Sequence, residues 1–552
     1  MRPAWAKWAA ARRGAVVGSR GARGFAEKGH GHGWFVDERF HAFGKSAAKA
    51  AEQHAVRARE APGDRMTSIE VNHKVMQSKT AKEVLNVFDE RRRECDAVNY
   101  STLLQKLARA KVPPRAGDWR VTALIEDTTD SVINGQGWRS RGLANAALGA
   151  AKLGSVSGDR ALFAAVAASA PAMIGTFNAA ELSNTAWAFA TAGFSAPALF
   201  DVIAAEAPKH IRALSPQELA HLVWAFATAG VSAPELFAAV AENATRIHRH
   251  FNAQDLANVV WAYAHAGFEA PEMFQAVREA APTHLTTFNA QDLANTAWAF
   301  ATAGIDAPEL FEDVAAEALT KMNKFTPRGI SMMLWAFATK GTMSNWLFEG
   351  LAKQVRGDKL SGFAPSELAN TVWAFAEMGK CAELLFDAVA AQAAFKAQLF
   401  SADDMAKILS SFATADHAAP KLFQALAEMA LVKMSSFQPS ALAKTVWAFA
   451  RQNEYAPKLF DAVAAEALRK MDAFAPGDVA KTAHAFMKMG ISSPALYVAL
   501  AEAAALQVPS FTTQALEETV LALATAGVDA PKALAALTAE LETRRINDYR
   551  PT

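Results

Sequence analysis

Residues 288–324 read FNAQDLANTAWAFATAGIDAPELFEDVAAEALTKMNK, and this stretch decides how the rest of the chain is read. A close copy begins at Phe251 (FNAQDLANVVWAYAHAGFEAPEMF) and another at Leu214 (LSPQELAHLVWAFATAGVSAPELF), each step being 37 residues. A fixed period in this range marks a solenoid, in which each unit buries its apolar face against its neighbours.

Within Phe288–Lys324 the pattern predicts two helices. Asn289 is a candidate N-cap, with Asp292 in the first turn where a carboxylate favours the helix dipole. Leu293, Ala297, Phe300, Ala301 and Gly304 fall on one face at helical spacing. Gly304 is suited to end the helix in a left-handed conformation, and Pro308 to open the next. Leu310, Phe311, Val314, Ala315 and Leu319 form the second apolar face. The Gly-x-x-x-Pro link returns at Gly193/Pro197, Gly230/Pro234, Gly267/Pro271, Gly490/Pro494 and Gly527/Pro531.

Working outward, repeats start at Trp138, Phe177, Leu214, Phe251, Phe288, Phe325, Phe363, Phe400, Phe437, Phe474 and Phe511. The expected fold is all-α, a right-handed α-solenoid of about eleven 37-residue two-helix repeats over residues 138–545. Residues 80–137 read as a helical amino-terminal cap, with Val84, Leu85 and Phe88 inward on one helix and Leu103, Leu104 and Leu107 on the next. Residues 26–79 are expected to be a partly disordered linker, and 546–552 a tail. The tract Gly29-His30-Gly31-His32-Gly33 reads as flexible linker, because glycine spacers preorganise no metal site.

Lys and Arg number 56 and Asp and Glu 55 in the 552 residues, but the balance is uneven. Residues 1–25 hold six basic residues and no acidic one, so 26–552 carry 50 basic against 55 acidic, a net charge of −5. An acidic body argues against indiscriminate polyanion binding, which depends on Lys and Arg contacts to phosphate. The Arg-rich, Ala-rich stretch 1–25 has the composition of a mitochondrial presequence, and Arg23-Gly24-Phe25-Ala26 resembles its processing site. A simple plastid transit peptide is the alternative; a secretory signal is disfavoured because no apolar core precedes the cleavage-like site. Two cysteines, Cys95 and Cys381, are too few and too far apart for a disulfide framework. No run of about 20 apolar residues predicts a membrane span.

A second stripe on the first helix is left over by the apolar face. In order, the column through Asn295 contains Asn145, Asn184, His221, Asn258, Asn295 and Asn370, then Lys407, Lys444 and Lys481. The column through Gln291 includes Gln254, Gln291 and Arg328, and that through Thr302 includes Thr302, Arg451 and Lys488. Asn, Gln, His and Thr donate to and accept from base edges, and the Lys and Arg members suit phosphates. The competing reading is that these polar chains pair with neighbouring helices. The Trp column, Trp187, Trp224, Trp261, Trp298, Trp335, Trp373 and Trp447, could stack bases but is read as packing between repeats. No phosphate loop, H-E-x-x-H or C-x-x-C pattern occurs, so no enzyme activity, cofactor, metal site or small-molecule substrate is expected.

The LANxxWAFAxxG core, at Leu293–Gly304 and similarly Leu182–Gly193 and Leu368–Gly379, resembles the organellar octotricopeptide class of helical repeats. It is also similar to FAST-kinase-like and RAP-domain proteins and to a subunit of the kinetoplastid RNA-editing substrate-binding complex, over about residues 80–545. The resemblance implies an α-solenoid that binds organellar RNA and supports its processing, stability, editing or translation, with other RNA-processing proteins or the mitochondrial ribosome as further partners. Two departures stand out. No β-rich RAP module follows the last repeat, so nuclease activity is not expected, and the Pro-Pro-Pro-Glu-Trp signature of octotricopeptide units is absent. The expectation is therefore a non-catalytic RNA-binding protein of the mitochondrial matrix, the alternative being an armadillo- or HEAT-like protein scaffold.

Overall fold

The local chemistry of one repeat explains its two helices. In the repeat starting at Phe288, the Asn289 side chain accepts hydrogen bonds from the Gln291 and Asp292 amides, at 2.8 and 3.0 Å. Asp292 returns one from the Asn289 amide at 3.0 Å, a capping box that starts the helix Ala290–Thr302. Gly304 ends it at φ 72°, with the Ile305 amide donating back to the Phe300 carbonyl at 3.0 Å. Pro308 is the first residue of the helix Pro308–Thr320, and a 3-10 turn, Met322–Lys324, leads into the next repeat. The position of Gly304, sixteen residues into each repeat, is left-handed elsewhere too. Asp416 (φ 53°) and Asn453 (φ 55°) occupy it in two repeats, the residue types best able to replace glycine there.

In this computed structural model the described residues are 67–548, apart from 116, 136, 155–157, 343, 356–357 and 381. The expected presequence, the His/Gly tract, most of the linker and Cys381 lie outside them. Among the described residues there are helices and turns and no strand: the chain is an all-α solenoid. It divides into two compact units, which meet in sequence between His284 and Leu285.

The amino-terminal unit begins with helix Ser68–Gln77, earlier than the Thr80 start read from the sequence, set by a Thr67–Glu70 capping box. Helices Ala81–Arg91, Ala97–Ala108 and Trp119–Asn134 follow. Ala97–Ala108 packs on the first helix of the first repeat, Ser140–Leu153, and Trp119–Asn134 on its second, Asp159–Ser169, so the cap behaves as a repeat of different sequence. The stack continues through Ala179–Ala192, Pro216–Ala229 and Ala253–Ala266. A Cβ added at Gly149 would meet the Leu104 Cβ at 2.8 Å and its carbonyl carbon at 2.9 Å, which shows how close the first helices come. The carboxy-terminal unit stacks Ala290–Thr302, Pro327–Thr339, Pro365–Glu377, Ala402–Thr414, Pro439–Arg451, Pro476–Lys488 and Thr513–Thr525 broadside in the same way. In both units the second helices touch one another less extensively.

Two devices join the repeats. The first is an aromatic joint. A Phe on the second helix meets the ring of the next repeat's first helix edge to face, as in Phe200–Phe226 (4.9 Å), Phe311–Phe337 (4.9 Å) and Phe423–Phe449 (5.0 Å). These rings are fully or almost fully buried, and edge-to-face pairs at this distance are favourable. The second is a lysine clip found, among the described residues, in the carboxy-terminal unit. Lys433 Nζ donates to the carbonyls of Gln398 and Phe400 at 2.8 and 2.7 Å. Lys396 and Lys470 do the same to Ser361 and Phe363 and to Ser435 and Phe437. Each clip satisfies carbonyls in the turn that precedes a first helix.

Candidate nucleic-acid interface

The side chains of the second stripe stand on the first helices, whose apolar flank is held by Leu293-, Ala297- and Phe300-type residues buried to 0–2% exposure. In the amino-terminal unit Asn145 is half-buried and accepts a hydrogen bond from Gln105 Nε2. Asn184 and Asn258 are half-buried and Gln254 is exposed. His221 lies with its ring 5.7 Å from that of Trp187, and Lys152 Nζ sits 5.8 Å above the same Trp. Burial and the nearby Lys152 hold the His221 imidazole below its ordinary pKa, against an opposing pull from Glu218.

The carboxy-terminal unit brings more of the predicted residues together. Gln291 Nε2 donates to Asn295 Oδ1 at 2.7 Å within one helix. Lys407 Nζ donates to Asn370 Oδ1 at 2.7 Å, linking successive repeats across the stripe. Burial depresses the Lys407 pKa, Lys444 adds to that, and Asp404 and Asp403 oppose it. Lys444, Lys488 and Arg328 are exposed, and Lys481 is half-buried beside Asp478. Arg451 donates from Nε to the Ala413 carbonyl at 3.0 Å with its guanidinium 5.8 Å from the Trp447 ring. Thr302 is half-buried, and its hydroxyl oxygen is enclosed and makes no hydrogen bond among the described residues.

The Trp column forms a ladder inside each unit. Trp187–Trp224 and Trp224–Trp261 are 6.4 and 6.5 Å apart in one, Trp298–Trp335 and Trp335–Trp373 both 6.4 Å in the other, tilted by 32–37°. Contact between consecutive repeats is what the packing reading requires. Sequence reading missed two features. The Lys152–Trp187 contact was hidden because it joins side chains of two different repeats. The clip lysines add positive charge to the carboxy-terminal half yet are committed to backbone carbonyls, a role signalled only by their constant place 33 residues into the repeat.

Within each unit the stripe sets polar groups on successive first helices, amides and an imidazole in the amino-terminal unit and amides and ammonium groups in the carboxy-terminal one, which suits hydrogen-bond acceptors and anionic groups spaced along an extended ligand. Among the described residues no group of three His, Cys, Asp or Glu could hold a metal, and no helix is long and apolar enough to cross a membrane.

Fold and stripe define a helical-repeat protein of the all-α solenoid class. Within it, residues 149–380 match the family described as RNA-editing substrate-binding complex 6 protein, so this part of the chain is similar to an RNA-editing family of helical proteins. The match spans less than half of the chain. No curated protein matches it. Among solved structures, a chain of "Homology model of the full-length AP-3 complex in an intermediate open conformation" is similar over 92% of this chain and 99% of its own, at 10% identity and a TM-score of 0.28. That score carries no argument about fold or function.

Proposed function

We propose that the chain binds single-stranded RNA along the first-helix faces of its units, without catalysis of its own, as a component of organellar RNA processing, editing foremost. The observation that carries this reading is the stripe of the carboxy-terminal unit, where Asn370, Lys407 and Lys444 fall on three consecutive first helices and Lys481 and Lys488 on the fourth. Clip lysines are excluded from that count, and Lys407, Lys444 and Lys481 stand in the register where the amino-terminal unit places Asn and His. The similarity of residues 149–380 to an RNA-editing substrate-binding complex 6 family favours editing over other RNA steps. The proposed location is the mitochondrial matrix, on the composition of residues 1–25, with a plastid as the alternative.

The test is titration of the full-length chain with a labelled single-stranded RNA at several salt concentrations. Binding should weaken with salt, and the triple substitution Lys444→Ala, Lys481→Ala and Lys488→Ala should reduce the slope of log K against log salt by roughly 2, at about 0.7 per phosphate contact. A wild-type chain that binds no RNA sinks the proposal.

A second reading, a scaffold for protein partners, has its own observation. Trp346, Phe395 and Leu506, on second helices of the carboxy-terminal unit, are 74%, 82% and 86% exposed. Large apolar side chains so open to water suit a protein surface rather than RNA. The two readings use different faces, and other RNA-processing proteins or the mitochondrial ribosome are the proposed partners there.

A further inference from the structure

The amino-terminal unit contains a cavity of about 1130 Å³ that the stripe does not explain. It is bounded by the end of helix Ser68–Gln77, the helix Ala97–Ala108 and the start of helix Ser140–Leu153. Six cationic side chains line it, Lys79, Lys106, Arg109, Lys111, Arg139 and Arg141, and no carboxylate does. In a chain with 56 basic and 55 acidic residues, that one-sided lining is the feature to explain. Among the described residues none of the six makes an ion pair. Lys106 alone is tied down, its Nζ donating to the Ser78 carbonyl at 3.1 Å. Crowding like charges around one space costs energy that an anionic occupant removes.

A second observation points the same way. The first helices of the next four repeats begin with a capping residue and an acid in the first turn, at Asn178/Glu181, Ser215/Glu218, Asn252/Asp255 and Asn289/Asp292. The helix Ser140–Leu153 has Arg139 and Gly142 at those places, with no side-chain cap and no acidic residue in its first turn. Both residues line the cavity. The helix start that opens into the cationic space thus lacks both devices, as Pro439–Arg451 also does, and leaves amide donors facing that space as well. At its inner end the cavity reaches Gln105 and Asn145, the first member of the polar column.

We infer that this cavity holds consecutive phosphates of the RNA strand that continues along the first helices. The inference rests on the RNA reading above and adds a place where the strand is anchored. Phosphate, rather than carboxylate, fits three arginines and a volume larger than the roughly 300–1,000 Å³ of small-molecule pockets, because each guanidinium can take two phosphate oxygens and several groups must be matched at once.

The experiment uses the full-length chain and a single-stranded RNA oligonucleotide labelled at its 3′ end. Arg109, Arg139 and Arg141 are exposed, so replacing them spares the core. Arg109→Ser, Arg139→Ser and Arg141→Ser are measured singly and together, with thermal melting to confirm the fold. The triple variant should bind about tenfold more weakly, with its salt slope reduced by roughly 2, and each single variant should lose about 0.7 of slope. A wild-type chain that binds RNA while all four variants keep its affinity and slope overturns the cavity and leaves the stripe standing. A wild-type chain that binds no RNA overturns both.

Discussion

The two units use the same register for different ends. Seven residues into a repeat the amino-terminal unit places Asn145, Asn184, His221 and Asn258, whereas the carboxy-terminal unit runs from Asn295 and Asn370 to Lys407, Lys444 and Lys481. Thirty-three residues in, the amino-terminal unit has His210 and Ile247, and the carboxy-terminal unit has clip lysines such as Lys396, Lys433 and Lys470. The difference teaches that charge alone does not locate a binding face in a repeat protein. A lysine at the first position faces the stripe; one at the second is consumed by carbonyls of the turn that leads into its own repeat.

The largest expected effect tests what the units share. Phe226→Ala and Phe449→Ala each remove one ring of the aromatic joint, one in each unit, and each should cost about 3–5 kcal/mol in urea unfolding. A cost near zero in either unit would break the equivalence of the two stacks. Next comes the separation of clip from stripe. Lys433→Met should cost about 1–3 kcal/mol, since it leaves carbonyls without their charged donor, while RNA affinity holds. Lys444→Met should do the reverse, lowering affinity and sparing stability. If both variants behave alike, the register argument fails. Gly304→Ala places a Cβ in left-handed backbone and should cost about 1–2 kcal/mol by thermal denaturation, whereas Asn453→Gly should cost less or stabilise.

The smallest effect is one of pH, and it belongs to the amino-terminal unit. The folded-state pKa of His221 is depressed, so the unfolded chain takes up its proton first as pH falls. The contribution to stability is fully present above the unfolded value near 6.5 and is lost as pH drops through it. Melting between pH 7.5 and about 5.5 should therefore decline more for the wild type than for His221→Gln. Equal declines would show that His221 contributes nothing.

Much of the fold was legible in the sequence because the period, the Gly/Pro punctuation and the capping residues all act locally. Gly304 and Pro308 mark helix ends by their own backbone preferences, and Asn289/Asp292 satisfy amides within three residues. The aromatic joint was half legible. Phe300 and Phe311 were read as core, but that Phe311 meets Phe337 of the next repeat depends on how the helices cross. The stripe was read as a column of residue types, and the contact of Asn370 with Lys407 across 37 residues follows from that spacing. The clips were not legible, because a lysine near a helix end reads as solvated surface until carbonyls are found around it. Nor was the cationic cavity, whose walls come from residues 72–145 and join the start of the first repeat to a cap of different sequence.

The clips also bear on how the protein comes apart. Lys433 fastens the end of its repeat to Phe400 at the start of that same repeat, and Lys396 and Lys470 do likewise. Each such lysine closes its repeat into a loop and also holds the last residues of the repeat before, at Gln398, Ser361 and Ser435. Amide exchange in the carboxy-terminal unit should accordingly advance in repeat-sized blocks from its end, each block released when its lysine lets go, whereas the amino-terminal repeat beginning at Leu214 holds its turn through the neutral Asn243 amide on the Ile211 carbonyl and should open with less sharply defined borders.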